Sequence, residues 1–226
     1  MNEVKIVIFD MDGLLLDTER CLWMVNEMKV VKSLGYEPSE EFCKKLMGSS
    51  WDTYEVRIKA LYGQEFPFQK YYDLLMEENK KMIENGSIPL MKGAKELLDF
   101  LKQNNIKMAI GTSTHKEQAI SCLKNSGIYD YFDEIVCGDD VTKGKPDPET
   151  YLKPCLDFNI DPSNALVFED GHNGSLAAFA AGIRLMLVPD LAILTQDDLD
   201  NAYAVLDDLS QAIDIIKKDN NIWENL

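Results

Sequence analysis

The sequence predicts an α/β fold, in which a parallel sheet is flanked by helices and an all-helical domain is inserted after the first strand. Two observations lead to this prediction. Short β-branched and apolar runs alternate with helical segments of about ten residues through the second half of the chain, which is typical of βαβ units. A long stretch without convincing strands, residues 17–84, separates this half from an apolar run at residues 4–9.

The elements of the predicted sheet follow one another regularly. The apolar run at residues 4–9 predicts the first strand, and further strands are predicted at residues 106–111, 134–137, 165–168 and 184–188. Helices are predicted between them, at residues 94–103, 116–125, 148–158 and 173–181. We assign these elements to a Rossmann-like core domain formed by residues 1–16 and 88–226.

The stretch between the two parts of the core, residues 17–87, predicts a separate helical domain. Its helix candidates begin near Asp17, Ser39, Ser50 and Phe66, with glycines and prolines between them. Near the end of the chain, the acidic segment at residues 196–208 predicts a solvated helix face.

The composition restricts the class of partner. The 226 residues include 23 Lys and Arg against 39 Asp and Glu, a net charge of −16. This charge argues against nucleic acid and anionic membranes as partners, because both carry the same sign. The sequence has no apolar stretch that could span a bilayer and no secretory segment, so we expect a cytoplasmic protein. We also expect a monomer, or at most a weak dimer. Five cysteines without a CxxC pair predict reduced thiols.

Polar side chains follow the predicted strands at the edge where ligands bind in open parallel sheets. In chain order they are Asp10 and Asp12, Thr112 and Ser113, Lys145, and Glu169 and Asp170. Crowded carboxylates cannot all ionise without a cation, and hard oxygen ligands suit Mg²⁺. A lysine and a hydroxyl beside such a metal can hold a phosphoryl group. The sequence therefore predicts a phosphoryl-transfer site for a small phosphorylated metabolite.

These groups resemble, in the same order, the four motifs of the haloacid dehalogenase superfamily. The motifs are Ile8-Phe9-Asp10-Met11-Asp12-Gly13, Thr112, Lys145-Pro146 and Phe168-Glu169-Asp170. The resemblance covers nearly the whole chain, and the helical insert is similar to the family's cap domain of the first type. The segment at residues 144–149 resembles the subgroup of sugar-phosphate phosphatases, phosphoglycolate phosphatases and β-phosphoglucomutases.

The resemblance implies roles for the two aspartates of the first motif and for the metal. Asp10 would be the nucleophile and Asp12 the general acid and base. Mg²⁺ would be bound by the Asp10 carboxylate, the Asp12 backbone carbonyl and Asp170. Glu169 would be a further acid of the metal site, either in contact with the ion or supporting it from behind.

It also implies how substrate is held. Thr112 would donate a hydrogen bond to the transferring phosphoryl group, and Lys145 would steady both that group and Asp10. Ser113 beside Thr112, and Glu19 and Gly48 in the cap, are further candidates for substrate binding. Thr114, with Glu117 three residues later, predicts instead a capping box for the following helix.

The implied reaction is hydrolysis of sugar, sugar-alcohol or nucleoside monophosphates through an aspartyl-phosphate. Dehalogenases of the superfamily lack an acid at the position of Asp12, which favours phosphorus over carbon chemistry. A mutase of the β-phosphoglucomutase type is an alternative, although the histidine and arginine of those caps are replaced by Leu22 and Trp51. A protein that senses a phosphorylated metabolite without turnover is a third alternative, because function depends on the site rather than the fold.

Overall fold

The computed structural model describes residues 3–40, 43 and 51–222, with the side chains of residues 51 and 52 left out. The described chain divides into two compact units. One contains Met1–Leu16 and Pro89–Leu226, and the other contains Asp17–Ile88.

The first unit is built on a six-stranded sheet in which all neighbouring strands are parallel. The strands are β1 (Ile6–Phe9), β2 (Lys107–Gly111), β3 (Glu134–Val136), β4 (Ala165–Glu169), β5 (Arg184–Leu187) and β6 (Ala204–Val205). Their spatial order is β3-β2-β1-β4-β5-β6. The predicted parallel, Rossmann-like sheet is confirmed, and β1 and β4 at its centre are buried along their whole length.

The second unit is helical in the part that the structure describes. A π-helical segment, Glu19–Val25, leads into α1 (Asn26–Ser33), and α2 (Trp51–Tyr62) and α3 (Phe68–Glu84) follow. The helix start predicted near Asp17 is therefore a π-helix in its first turns. The helix starts predicted near Ser39 and Ser50 border or enter segments outside the described residues.

The helices of the first unit lie between its strands in the sequence. They are α4 (Ala94–Gln103), α5 (Lys116–Asn125), α6 (Glu149–Asp157), α7 (His172–Ala180), α8 (Gln196–Asn201) and α9 (Ala212–Asp219). Single 3₁₀ turns occur at Tyr129–Tyr131, Pro162–Asn164 and Leu209–Gln211. Among the described helices, none has both the length and the apolar character of a membrane span.

The prediction of one helix face over residues 196–208 was wrong beyond Asn201. The chain leaves α8 and adds β6 to the edge of the sheet, where Tyr203 N donates to Leu185 O at 2.7 Å and Leu206 N donates to Leu187 O at 2.8 Å. These bonds satisfy backbone carbonyls that β5 would otherwise expose at the edge. The acidic pattern of the segment contains no signal for this pairing.

The second unit buries a carboxyl group inside its hydrophobic core. Glu27 is 1% exposed, and its Oε2 accepts a hydrogen bond from Tyr54 Oη at 2.7 Å. Tyr54 packs with Val30, Ile58 and Tyr71 in the apolar cluster of this unit. Burial raises the pKa of Glu27 to about 7, because removal from water penalises the carboxylate more than the Tyr54 hydrogen bond stabilises it.

Glu27 should make the stability of the protein depend on pH. The folded chain holds the Glu27 proton up to about pH 7, whereas the unfolded chain releases it near pH 4.3. The free energy of unfolding contributed by this group should therefore fall as pH rises through that window and then level off. We expect Glu27→Gln to exceed the wild type in stability at pH 8 by on the order of 2–3 kcal/mol, and not at pH 4.

Urea unfolding at pH 4, 6 and 8 would measure this difference. Glu84→Gln, at an exposed position at the end of α3, serves as the matched control and should parallel the wild type. Parallel pH profiles for Glu27→Gln and the wild type would show that Glu27 ionises normally in the fold.

Candidate active site

Asp10 occupies the centre of the sheet edge. It follows β1, which lies between β2 and β4. Phe9 pairs with Phe168 in the register of β1 and β4, their rings stack with centroids 5.1 Å apart, and Asp10 N donates to Phe168 O at 3.0 Å. Glu169 comes directly after Phe168. The pairing of two buried strands therefore brings the carboxyl groups of Asp10 and Glu169 to the same place.

Lys145 joins these two acids from the loop between β3 and α6. Its Nζ donates to Asp10 Oδ1 at 2.5 Å and to Glu169 Oε1 at 2.7 Å, and the exposed fraction of its side chain is 6%. Burial lowers the pKa of Lys145, but Asp10 and Glu169 more than offset this and raise it overall. The ammonium group therefore stays charged. Lys145 thus lies against Asp10, whereas Lys143, two residues earlier in the same loop, is 73% exposed.

The electrostatics of Asp10 are set by burial and by its acidic neighbours. Burial raises the pKa of Asp10, Lys145 opposes the rise, and the carboxylates of Glu169 and Asp12 add to it. The ionised form of Asp10 is therefore favoured only when a positive charge lies beside its carboxylate. Lys145 supplies one such charge.

Glu169 is held by donors on both of its oxygens. Oε1 accepts from Lys145 Nζ and from Tyr151 Oη, the latter at 2.5 Å, and Oε2 accepts from the backbone N–H groups of Asp170 and Gly171, both at 3.0 Å. A carboxylate offers about four acceptor positions. All of them are used, which favours a supporting role for Glu169 over direct contact with a metal.

Asp12 is fixed by two threonine hydroxyls that follow β2. Thr114 Oγ1 donates to Asp12 Oδ2 at 2.7 Å, and Thr112 Oγ1 donates to the same oxygen at 3.2 Å while accepting from Thr114 N at 3.0 Å. The predicted capping box at Thr114 was wrong. The N-cap of α5 is His115, without a side-chain cap, because the Thr114 hydroxyl is committed to Asp12.

The buried acids at the sheet edge fit a divalent cation. Oxygens of Asp10, Glu169 and Asp170 lie within 4.8 Å of one another, and all three residues are buried. Lys145 pairs with Asp10 and Glu169, and Asp170 adds a third acid to the cluster, so the carboxylates outnumber this ammonium group. Crowded oxygen donors with excess negative charge are the environment that Mg²⁺ prefers in proteins. Since Glu169 is saturated by donors, Asp10 and Asp170 are the carboxylates better disposed to hold the ion.

Three other residues, Ser113, Glu19 and Gly48, were predicted to bind substrate. Ser113 is exposed beside Thr112. Glu19 belongs to the second unit, and Gly48 lies outside the described residues. Leu22, where a mutase would carry histidine, is 1% exposed, while the side chain of Trp51 lies outside the described part.

Sequence reasoning missed two residues of the site, Tyr151 and Thr114. Tyr151 lies in α6 and is fully buried, and burial next to Glu169 raises the pKa of its phenol, so the hydroxyl stays a donor. The only sequence signal for it is an aromatic residue six positions after Lys145, which packing alone explains equally well. Thr114 could have been found as the second threonine after β2.

Comparison with known proteins identifies relatives along most of the chain. Residues 7–188 match the family model described as haloacid dehalogenase-like hydrolase. A phosphorylated carbohydrates phosphatase from Thermotoga maritima is 35% identical over 181 residues, which cover 80% of this chain and 82% of that protein. A probable pseudouridine-5'-phosphatase from Drosophila melanogaster is 30% identical over 216 residues, covering 93% of this chain and 92% of that protein.

A solved structure agrees with the sequence relatives. The crystal structure of a protein named putative beta-phosphoglucomutase, from Thermotoga maritima, matches with a TM-score of 0.81 at 31% identity. The match covers 95% of this chain and 99% of that one. The matched residues thus include those of the sheet and those of the helical insert.

Proposed function

The chain belongs to the haloacid dehalogenase-like hydrolase family, and on that premise we propose that it is a Mg²⁺-dependent phosphatase of small phosphomonoesters. The observation that carries the proposal is the arrangement around Asp10. A buried carboxylate is paired with the ammonium group of Lys145, and Asp12 stands two residues later with its carboxylate held by Thr112 and Thr114. A nucleophile, a proton carrier and a fixed cation are the parts that phosphoryl transfer needs.

The proposed first step transfers the phosphoryl group to the protein. Asp10 attacks phosphorus with a carboxylate oxygen, and the bond from phosphorus to the ester oxygen breaks. Asp12 gives its proton to that leaving oxygen, so the alcohol departs neutral. The product of the step is an aspartyl-phosphate on Asp10.

The proposed second step returns Asp10 to its free form. Asp12, now a carboxylate, takes a proton from water as the water attacks phosphorus, and the bond between phosphorus and Asp10 breaks. Inorganic phosphate leaves, and Asp12 again carries the proton. The hydroxyls of Thr112 and Thr114 on one Asp12 oxygen leave the other oxygen to exchange this proton.

Lys145 and a bound metal ion would both neutralise negative charge on Asp10 and the phosphoryl group. Lys145 compensates Asp10 before attack and the phosphoryl oxygens during transfer. We propose that Asp10, Asp170 and the backbone carbonyl of Asp12 hold Mg²⁺, with Glu169 supporting Lys145. A bound Mg²⁺ would neutralise charge on the phosphoryl oxygens and orient the substrate.

The proposed substrates are sugar, sugar-alcohol or nucleoside monophosphates. The relatives named as phosphatases of phosphorylated carbohydrates and of pseudouridine 5'-phosphate support this class. We propose residues 17–87 as the cap domain, with Glu19 and Gly48 selecting the leaving group. A mutase stays the alternative because of the structural relative with that name, although Leu22 offers no polar group to a second phosphate.

Phosphate release from a panel of these monophosphates, with Mg²⁺ or with EDTA, tests the proposal. We expect release that requires Mg²⁺ and a preference for one class of leaving group. Conversion of glucose 1-phosphate to the 6-phosphate in the presence of a bisphosphate primer would support the mutase instead. Binding of a monophosphate with neither reaction would support a sensor.

A further inference from the structure

Tyr151 is a buried residue that has no role in the proposed mechanism. It is fully buried in α6, and its ring lies beneath Lys145, with Nζ 4.7 Å from the ring centroid. Its hydroxyl donates to Glu169 Oε1, the same oxygen that accepts from Lys145. Tyr151 thus contacts the lysine ammonium group through its ring and shares the acceptor Glu169 Oε1 with it through its hydroxyl.

Two glycines make room for this arrangement. A Cβ at Gly111, the last residue of β2, would lie 2.9 Å from Tyr151 Cε1, so the ring packs directly on the strand backbone. A Cβ at Gly174 in α7 would lie 1.5 Å from Glu169 Oε1. Neither close approach is possible with a larger residue unless the tyrosine or the glutamate moves. The backbone at these two glycines therefore limits where Tyr151 and Glu169 can lie.

Lys145 depends on Glu169 for its position as much as on Asp10. Its Nζ bridges Asp10 Oδ1 and Glu169 Oε1, which lie on neighbouring strand ends. Glu169 in turn cannot rotate toward the lysine freely, because its other oxygen is bound by two backbone N–H groups. Tyr151 supplies the remaining donor, and without it Oε1 would be held by Lys145 alone.

We propose that Tyr151 is a positioning residue that acts through Glu169 to hold the Lys145 ammonium group against Asp10 during phosphoryl transfer. The inference rests on the proposed function, because it concerns the same site. A flexible lysine has four rotatable bonds and gains catalytic value only when its charge is fixed where charge develops. Tyr151 is fully buried and its hydroxyl donates to Glu169, so we expect its effect to reach the reaction only through Glu169 and the lysine.

Tyr151→Phe tests the proposal, since it keeps the ring beneath Lys145 and removes only the hydroxyl. We expect kcat for the preferred monophosphate to fall about 10–100-fold, the usual cost of losing a group that orients a catalytic residue. KM should change less than about threefold, because the lost interaction matters most in the transition state. Tyr131→Phe is the matched control, because it removes a tyrosine–carboxylate hydrogen bond, to Asp99, outside the site.

A binding measurement gives a second readout that does not require turnover. Orthovanadate adopts the five-coordinate geometry of a phosphoryl group in transfer. Its dissociation constant, with Mg²⁺ present, should rise about 10–100-fold in Tyr151→Phe, while that of inorganic phosphate changes less than about threefold. Circular dichroism would confirm that the variant is folded. If it is not, Glu169→Gln weakens the acceptor that Tyr151 and Lys145 share, and it should lower kcat while KM changes less than about threefold.

The outcomes separate this inference from the proposed function. A wild type that turns over substrate, with kcat and vanadate binding unchanged in Tyr151→Phe, would overturn the positioning role and leave the phosphatase proposal intact. Equal losses in Tyr151→Phe and Tyr131→Phe would likewise overturn it. A wild type that neither hydrolyses a monophosphate nor binds vanadate would overturn the proposed function and this inference with it.

Discussion

Asp10→Asn is expected to reduce phosphate release by at least about 10⁴-fold, because an amide cannot attack phosphorus to form the acyl-phosphate. Asparagine fills the same volume, so the packing between β1 and β4 should survive. Rapidly quenched wild type incubated with substrate should carry a phosphoryl group on the peptide containing Asp10, and the variant should carry none. Phosphate assays and mass spectrometry of the quenched protein measure the two effects.

The control for this variant is Asp214→Asn, at an exposed position in α9. It removes one negative charge from the same unit and should leave phosphate release within about twofold of the wild type, since exposed substitutions rarely matter. Substantial release by Asp10→Asn, with the phosphoryl group on another residue, would contradict the assignment of the nucleophile.

Lys145→Met should lower both activity and stability. The side chain of Lys145 is 6% exposed and lies between Asp10 and Glu169, so its removal leaves two buried carboxylates without their cation. Breaking a buried ion pair in this way costs about 3–5 kcal/mol, and loss of the fixed charge should lower kcat at least about 10³-fold. Urea unfolding should show a smaller loss with Mg²⁺ than with EDTA, because a bound cation replaces part of the missing charge.

Lys143→Met separates this effect from the loss of a surface lysine. Lys143 is 73% exposed, and its Nζ lies 3.9 Å from Asp147 Oδ2. Such a pair contributes little, so its loss should change the free energy of unfolding by less than about 0.5 kcal/mol. Similar destabilisation of the two variants, or no difference between Mg²⁺ and EDTA for Lys145→Met, would argue against a cation site beside the lysine.

Much of the sheet could be predicted because its signals are local. Each buried strand is a short apolar run, and each helix between strands has its own boundaries, so four predicted helices and five predicted strands correspond to observed elements. The two-residue strand β6 could not be predicted, because it exists through pairing with the edge of β5 rather than through its own sequence pattern. The helix Ala212–Asp219 was not predicted either.

The residues of the candidate site likewise include some that the sequence could predict and some that it could not. Asp10, Lys145 and Glu169 could be predicted together, because residues after parallel strands must meet at one edge of the sheet. Thr114 was misassigned, because a threonine before a helix has the same sequence signal whether it caps the helix or donates to Asp12. The hydrogen bond between the Thr114 hydroxyl and Asp12 is visible only when the loops after β1 and β2 lie side by side.

The amino-acid sequence by itself determined the order of strands and helices, the acids at the strand ends and the family resemblance, because each depends on residues close together in the chain. Only the tertiary structure decided which hydrogen-bond donors bind the buried carboxylates of the site. Tyr151 lies in α6 and Glu169 ends β4, and their hydrogen bond fills the fourth acceptor position of Glu169 where Gly111 leaves room for the ring. Hydrogen-bond satisfaction and close packing act between residues distant in sequence, and no local pattern encodes the result.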